Sequence, residues 1–254
     1  MPNALALRPT YWASVSGGKD SLYMFYYIMN HLEEYPLNGA VHFELEIDYP
    51  FIKDVIDYME SECKKRNIPF YRIKPSHSWN ELYQKRGYPT RFRRWCNGEY
   101  KMDCKRQFTK FLRENGLYPI WYIGFCADEA KRFKVSLFDT EANCRYPLAE
   151  QGIYEAFILD WAKEQDIYNN YYKFNKRCGC MGCPLTTYIR TAYDAVFYPE
   201  YYESYMDCAE RTEKESFLKT GKKHSVWQTD PKYDTAYRRK VLESKYIPMI
   251  KEQL

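Results

Sequence analysis

An α/β fold, with a mostly parallel sheet covered by helices on both faces and a small helical part towards the C-terminal end, is predicted by three features of the 254-residue sequence. Short apolar runs alternate with helical periodicity through the first two thirds. The first of these runs opens directly into a Ser-Gly-Gly loop and an amphipathic stretch. Beyond about Asp166 the strand-like runs stop and the sequence turns Tyr- and Cys-rich.

Taken in order, Tyr11 to Val15 is a short apolar strand, and Ser21 to Met29 continues from the loop as a helix. Ala40 to Ile47 alternates as a second strand does. Phe51 to Arg66 places Ile52, Val55, Ile56 and Met59 on one helical side. Phe70 to Ile73 reads as a third strand and Ile120 to Gly124 as a fourth, separated by an Arg-rich loop and a helix from about Lys101 to Glu114. The expected division is residues 1–166 as the α/β domain and 167–254 as the helical region. In such a sheet, ligands bind at the carboxyl ends of the strands, where residues 16 to 21 lie.

Composition narrows the function classes. With 45% hydrophobic and 28% charged residues the chain is globular rather than disordered or fibrous. A net charge of +4 is too small to mark a nucleic-acid binder, so clustering decides. One basic cluster runs from Lys85 to Arg106 and another comprises Lys219, Lys222, Lys223 and His224; each is a solvated face or a phosphate surface. The 27 Tyr, 14 Phe and 6 Trp either fill cores or offer rings on which bases stack. No apolar run reaches the roughly 20 residues that span a bilayer and no secretory signal opens the chain, so the expected compartment is the cytoplasm. The nine cysteines there favour reduced thiols, metal ligation or redox chemistry over disulfides.

The strongest local signal is Ser16-Gly17-Gly18-Lys19-Asp20-Ser21. Adjacent glycines let the backbone curl around an anion, and the helix that follows presents free N–H groups and a positive dipole end. Lys19 adds a cation, and Ser16 and Ser21 add hydroxyls. A Walker loop would have glycine where Ala13 stands and Ser or Thr where Asp20 stands, so this is a different phosphate loop. Later in the chain, Cys178, Cys180 and Cys183 fall within six residues, and thiolates so spaced can converge on one centre.

Ser16 to Ser21 resembles the signature of the PP-loop ATP pyrophosphatases. Three later stretches resemble their phosphoadenosine phosphosulfate (PAPS) reductase-like branch: Arg94-Trp95-Cys96 with Lys101, Gly124-Phe125-Cys126-Ala127-Asp128-Glu129 with Arg132, and Gly179-Cys180-Met181-Gly182-Cys183-Pro184. Tyr146-Pro147-Leu148 sits where that family often has a similar turn. The matches run in family order from about residue 11 to 185.

The resemblance implies a Rossmann-like fold of the adenine nucleotide alpha hydrolase type. It places phosphates of ATP, or of PAPS or its 3′-dephospho form APS, on residues 16–21, and base and ribose near Ser14 and Glu46 to Asp48. Asp128 and Glu129, adjacent and so on opposite sides of a strand, would put one carboxylate across the cleft for Mg²⁺ or a ribose hydroxyl. Arg94, Lys101 and Arg132 would neutralise phosphate or sulfate oxygens. The implied catalytic set is Lys19, Asp20, Asp128 and Arg132, and Gly124 joins the nucleotide contacts. The resemblance also makes Cys96 the fourth thiol beside Cys178, Cys180 and Cys183, for a 4Fe-4S cluster or zinc; a sulfur relay or inert thiols are the other readings.

Sulfonucleotide reductases of this branch use a cysteine in a C-terminal Glu-Cys-Gly tail, and Ile247 to Leu254 contain none. The leading expectation is therefore an enzyme that adenylates a substrate with release of pyrophosphate, for sulfur transfer to a nucleotide or nucleic acid, with a protein partner or sulfur donor. Reduction of PAPS or APS to sulfite, and a nucleotide-binding regulatory protein without turnover, are the alternatives.

Overall fold

The computed structural model describes residues 7–129, 143–228 and 230–254. In chain order its elements are β1 (Arg8–Ser14), α1 (Lys19–Asn30), β2 (Gly39–Phe43), α2 (Pro50–Lys65), β3 (Phe70–Ile73), α3 (Trp79–Arg86), α4 (Met102–Glu114), β4 (Leu117–Tyr122) and β5 (Asn143–Arg145). There follow α5 (Pro147–Glu150), α6 (Glu155–Lys163), α7 (Tyr171–Phe174), α8 (Tyr188–Phe197), α9 (Pro199–Thr220), α10 (Thr235–Val241) and α11 (Ile247–Lys251).

Among the described residues the strands form a five-stranded sheet in the order β3-β2-β1-β4-β5, with every neighbouring pair parallel. The α/β class expected from the sequence is therefore observed. Trp12 fixes the central register, pairing with Gly39 on one side and Trp121 on the other. Connections through α1 and α2 build the sheet one way, whereas α4 leads back across β1 to β4, which by the right-handed rule for parallel crossovers puts it on the opposite face. There Phe108 and Leu112 bury against Trp12, Val41 and Trp121. The intervening residues Ala13, Ala40 and Tyr122 point to the other face and are equally buried. The order reverses between β1 and β4, so the crevice at their carboxyl ends is the topological switch point.

Local chemistry explains the helix ends. Pro50 opens α2, where its missing N–H costs nothing, and Lys64 and Lys65 close it against the negative dipole end. A capping box starts α3, Ser78 accepting from the Glu81 N–H while Glu81 accepts from the Ser78 N–H.

The chain divides into two compact units. The first comprises the described residues of Met1–Leu45, Tyr49–Pro75 and Asp103–Cys178; the second comprises Glu46–Asp48, Ser76–Met102 and those of Gly179–Leu254. The boundary expected at 166/167 therefore falls inside the first unit. Rings hold residues 167–178 there: Tyr168 and Tyr171 pack on Phe51 at centroid distances of 6.1 and 5.2 Å, and Tyr171 on Tyr49 at 5.0 Å. Two expectations about strands also change. β5 adds a strand at polar Asn143-Cys144-Arg145, and Asp128-Glu129 lie on a 3-10 turn, Ala127–Glu129, rather than on a strand.

Candidate functional site

The loop at the end of β1 is built from its own hydroxyls and one distant tyrosine. Ser21 Oγ donates to the Gly18 carbonyl at 3.0 Å and accepts from the Ser16 N–H at 3.1 Å, with Ser16 Oγ at 3.2 Å. The Tyr172 hydroxyl accepts from the Lys19 N–H at 2.8 Å. Gly17 adopts φ +73, the left-handed region that glycine enters without a Cβ penalty. Behind the loop, the Val15 N–H donates to the Val41 carbonyl, joining it to β2. Ser14 ends β1 and is half-buried.

Lys19 is only 1% exposed. A lone buried ammonium would cost several kcal/mol. Its Nζ instead lies 2.7 Å from Asp20 Oδ1 and 3.2 Å from Glu155 Oε1. Arg177 extends the network, reaching Glu155 Oε2 and Glu129 Oε1, each at 2.9 Å. Burial and the pull of Lys19 oppose each other at Asp20, and burial prevails, holding its carboxyl above the usual range. At Glu155 burial also pushes upward, but hydrogen bonds from Arg177 and Lys19 outweigh it and the carboxyl sits low. Cys126 lies with its thiol 3.6 Å from Asp20 Oδ1, and burial pushes that thiol well up.

The loop after β4 closes the other side. A Cβ on Gly124 would stand 2.8 Å from the Asp20 carbonyl oxygen, so only glycine permits this backbone to lie against the first turn of α1. Glu129 is buried and accepts from the Cys126 N–H at 3.2 Å. Asp128 accepts from the Glu155 N–H at 3.1 Å, at the start of α6. In the first unit, therefore, Ser16 to Ser21, Gly124 and Glu129 lie together, whereas Asp128 is engaged at a helix start. Arg132 lies outside the described residues.

The remaining expected residues belong to the second unit. Glu46 sits at the N-terminus of α3, both carboxylate oxygens 3.3 Å from the Trp79 N–H, while its own N–H donates to the Tyr100 hydroxyl. The Met181 N–H donates to the Ile47 carbonyl at 2.9 Å, which sets the Glu46–Asp48 segment beside the cysteine turn. Asp48 and Lys101 both act electrostatically on Cys180, whose thiol burial pushes up to about 12, with Asp48 adding to the rise. Cys96 is likewise raised by burial and by Cys183, against Arg94. Arg94 is exposed.

Of the four thiols, Cys96, Cys180 and Cys183 act electrostatically on one another. Cys178 belongs to the first unit, next to Gly18, and the other three belong to the second. Among the described residues no three His, Cys, Asp or Glu side chains are grouped as metal ligands would be.

Sequence reasoning missed Tyr172, Glu155 and Arg177. Each is a single residue without a motif, separated from Lys19 by more than a hundred positions. Only the rule that a buried cation needs a nearby carboxylate pointed to such a partner, and it names no position.

No protein-family model matches the chain. An uncharacterised protein of Methanocaldococcus jannaschii is 26% identical over 207 residues, covering 78% of this chain and 47% of that protein. The chain thus spans about half the length of the curated relative it matches. Among solved structures, the U34-tRNA thiolase NcsA of Methanococcus maripaludis with its 4Fe-4S cluster superposes with TM-score 0.43 and 15% identity. That superposition covers 93% of this chain and 73% of the thiolase, and a likeness this loose assigns nothing to the chain. No helix among the described residues is long and apolar enough to cross a membrane.

Proposed function

We propose that the chain is a PP-loop enzyme that holds ATP on Ser16 to Ser21 and transfers its adenylyl group to an acceptor, pyrophosphate leaving, as the activating step for sulfur transfer. The observation that carries this reading is the loop's position. A glycine-bearing loop stands at the carboxyl end of the central strand, at the switch point, with Lys19 held between two carboxylates, Asp20 and Glu155, of the same unit.

In this reading the loop N–H groups and the α1 dipole hold phosphate oxygens, and Lys19 exchanges carboxylate partners for phosphate. An acceptor oxygen attacks the α-phosphorus, the bond to the β-phosphate oxygen breaks, and the loop stabilises charge building on the departing pyrophosphate. Mg²⁺, where the nucleotide brings it, supplies further neutralisation; Asp20 and Glu155 are the carboxylates placed to meet it. The thiols are not grouped for a cluster or zinc as they stand, so no step is routed through one.

The test is calorimetric titration with ATP and with PAPS, followed by a pyrophosphate assay with candidate acceptors. Preference for ATP and a fall in affinity or turnover of at least tenfold, about 1.4 kcal/mol, in Lys19→Ala and Asp20→Ala are expected. Preference for PAPS with sulfite release would replace adenylation by reduction. Unchanged affinity in both variants would sink the loop assignment.

A further inference from the structure

The second unit holds a cavity of about 410 Å³, within the range of roughly 300–1,000 Å³ that small-molecule sites occupy. Its wall includes Arg91, Thr187, Tyr188, Trp227, Arg238 and Tyr246, and none of the residues lining it is acidic. The nucleotide loop, Ser16 to Ser21, belongs to the other unit, and none of its residues lines this cavity.

Arg238 is the centre of the case. It is 3% exposed, yet no carboxylate among the described residues pairs with it. One terminal nitrogen, Nη2, donates to the Thr186 and Thr187 carbonyls at 3.2 and 3.1 Å and to Thr191 Oγ1 at 2.6 Å. The guanidinium lies 4.5 and 4.6 Å from the ring centroids of Tyr188 and Trp227. Its Nε, buried, has no hydrogen-bond partner among the described residues. Rings and neutral acceptors offset part of the cost of burying a permanent cation, but an anion is the partner that completes it.

Two further features point the same way. The N-terminus of α8 forms part of the wall, and the side chain of its cap Thr187 accepts from the Arg190 N–H, so the positive end of a ten-residue helix stands at the cavity. Arg91, exposed, makes no side-chain hydrogen bond or ion pair with the described residues. Around these cations the wall is aromatic: Tyr188 and Tyr246 stack at 5.3 Å and 11°, and Trp227 also lies against Arg238. Rings beside a phosphate-type anion site suit a ligand that joins a planar base to a phosphate.

We propose that this cavity binds a nucleoside monophosphate unit, its phosphate on Arg238, Arg91 and the α8 N-terminus and its base against Tyr188, Tyr246 and Trp227. The unit is either a free mononucleotide or the phosphorylated end of a single strand. The assignment goes beyond the loop reading and does not rest on it.

The experiment is calorimetry on the full chain with adenosine and cytidine 5′-monophosphates, inorganic phosphate, and a 5′-phosphorylated trinucleotide, each in the presence and absence of a saturating non-hydrolysable ATP analogue. One site per chain that survives the analogue is expected, weakened at least tenfold in Arg91→Ala and lost in Arg238→Met, but unchanged in Lys19→Ala. Tighter binding of the trinucleotide identifies a strand end as the source; tighter binding of the monophosphate identifies a free nucleotide. The proposal is overturned by no binding at a dissociation constant of about 1 mM or tighter. It is equally overturned by inorganic phosphate matching the nucleotides, or by binding lost in Lys19→Ala and intact in Arg91→Ala. Arg91 is exposed and has no side-chain partner among the described residues, so its variant keeps the test valid if Arg238→Met fails to fold. Failure of the ATP analogue to bind would count against the loop alone.

Discussion

Replacing Gly124 with alanine places a methyl group 2.8 Å from the Asp20 carbonyl oxygen, 2.9 Å from its carbon and 3.1 Å from Ser21 Cα. The first distance is about 0.6 Å short of the 3.4 Å at which ordinary contact begins. All three obstacles are backbone, so no rotamer change relieves the overlap; either the loop after β4 or the first turn of α1 must move. Overpacking of this kind costs about 1–3 kcal/mol. For a chain of this size that lowers the melting temperature by roughly 2–12 °C. The same displacement passes into Lys19 and Asp20, and a shift approaching 1 Å at positioned groups costs up to about a hundredfold, so ATP binding should weaken by roughly tenfold or more. Thermal melts and calorimetric titration read both effects. Gly98→Ala is the control: a Cβ there meets nothing within 4 Å, and melting should stay level or rise slightly. If Gly124→Ala melts within 1 °C or so of the parent and binds ATP equally well, the close approach has been misread.

Tyr172→Phe removes the acceptor of the Lys19 N–H, leaving a buried donor unpaired, and should cost about 1–3 kcal/mol in denaturant unfolding at unchanged slope. A loss under about 0.5 kcal/mol would mean that the tyrosine does not pin the loop. The pH dependence of Asp20→Asn follows from burial raising the Asp20 carboxyl above its ordinary value of 3.8. A carboxyl raised on folding favours the fold in its protonated form, so its contribution is full below pH 3.8 and is lost as pH rises through the raised value. The amide has no charge to desolvate. Melts at stepped pH should therefore show the stability of the variant relative to the parent rising with pH across that window, and a variant that instead loses ground on the parent would contradict the assigned burial penalty.

What the sequence disclosed and what it withheld divide along physical lines. The four principal strands and the loop were legible because periodicity and paired glycines are local signals, whereas the approach of Gly124 to the first turn of α1 was not. β5 was not, since Asn143-Cys144-Arg145 is three residues long and carries no apolar alternation. Asp128 and Glu129 were expected on a strand because two adjacent carboxylates carry no sign of a 3-10 turn. The partners of Lys19 are set by where α6 and α7 pack, and nothing near Glu155, Tyr172 or Arg177 in sequence announces that.

The division into two units is drawn from interleaved segments, and it has a consequence for how the chain is made. Residues 46–48 and 76–102 leave the ribosome early, but the partners that complete their unit begin only at Gly179. The first unit can close once Cys178 has emerged, whereas those early segments wait through some eighty further residues with their apolar side chains uncovered. Synthesis in the cell would therefore pass through a half-built state in which Trp79, Trp95 and Tyr100, clustered together in the finished protein, have nothing yet to fold onto from the C-terminal side. Slow translation or truncation within residues 179–254 should be tolerated far less well than the same change in a chain whose units follow one another.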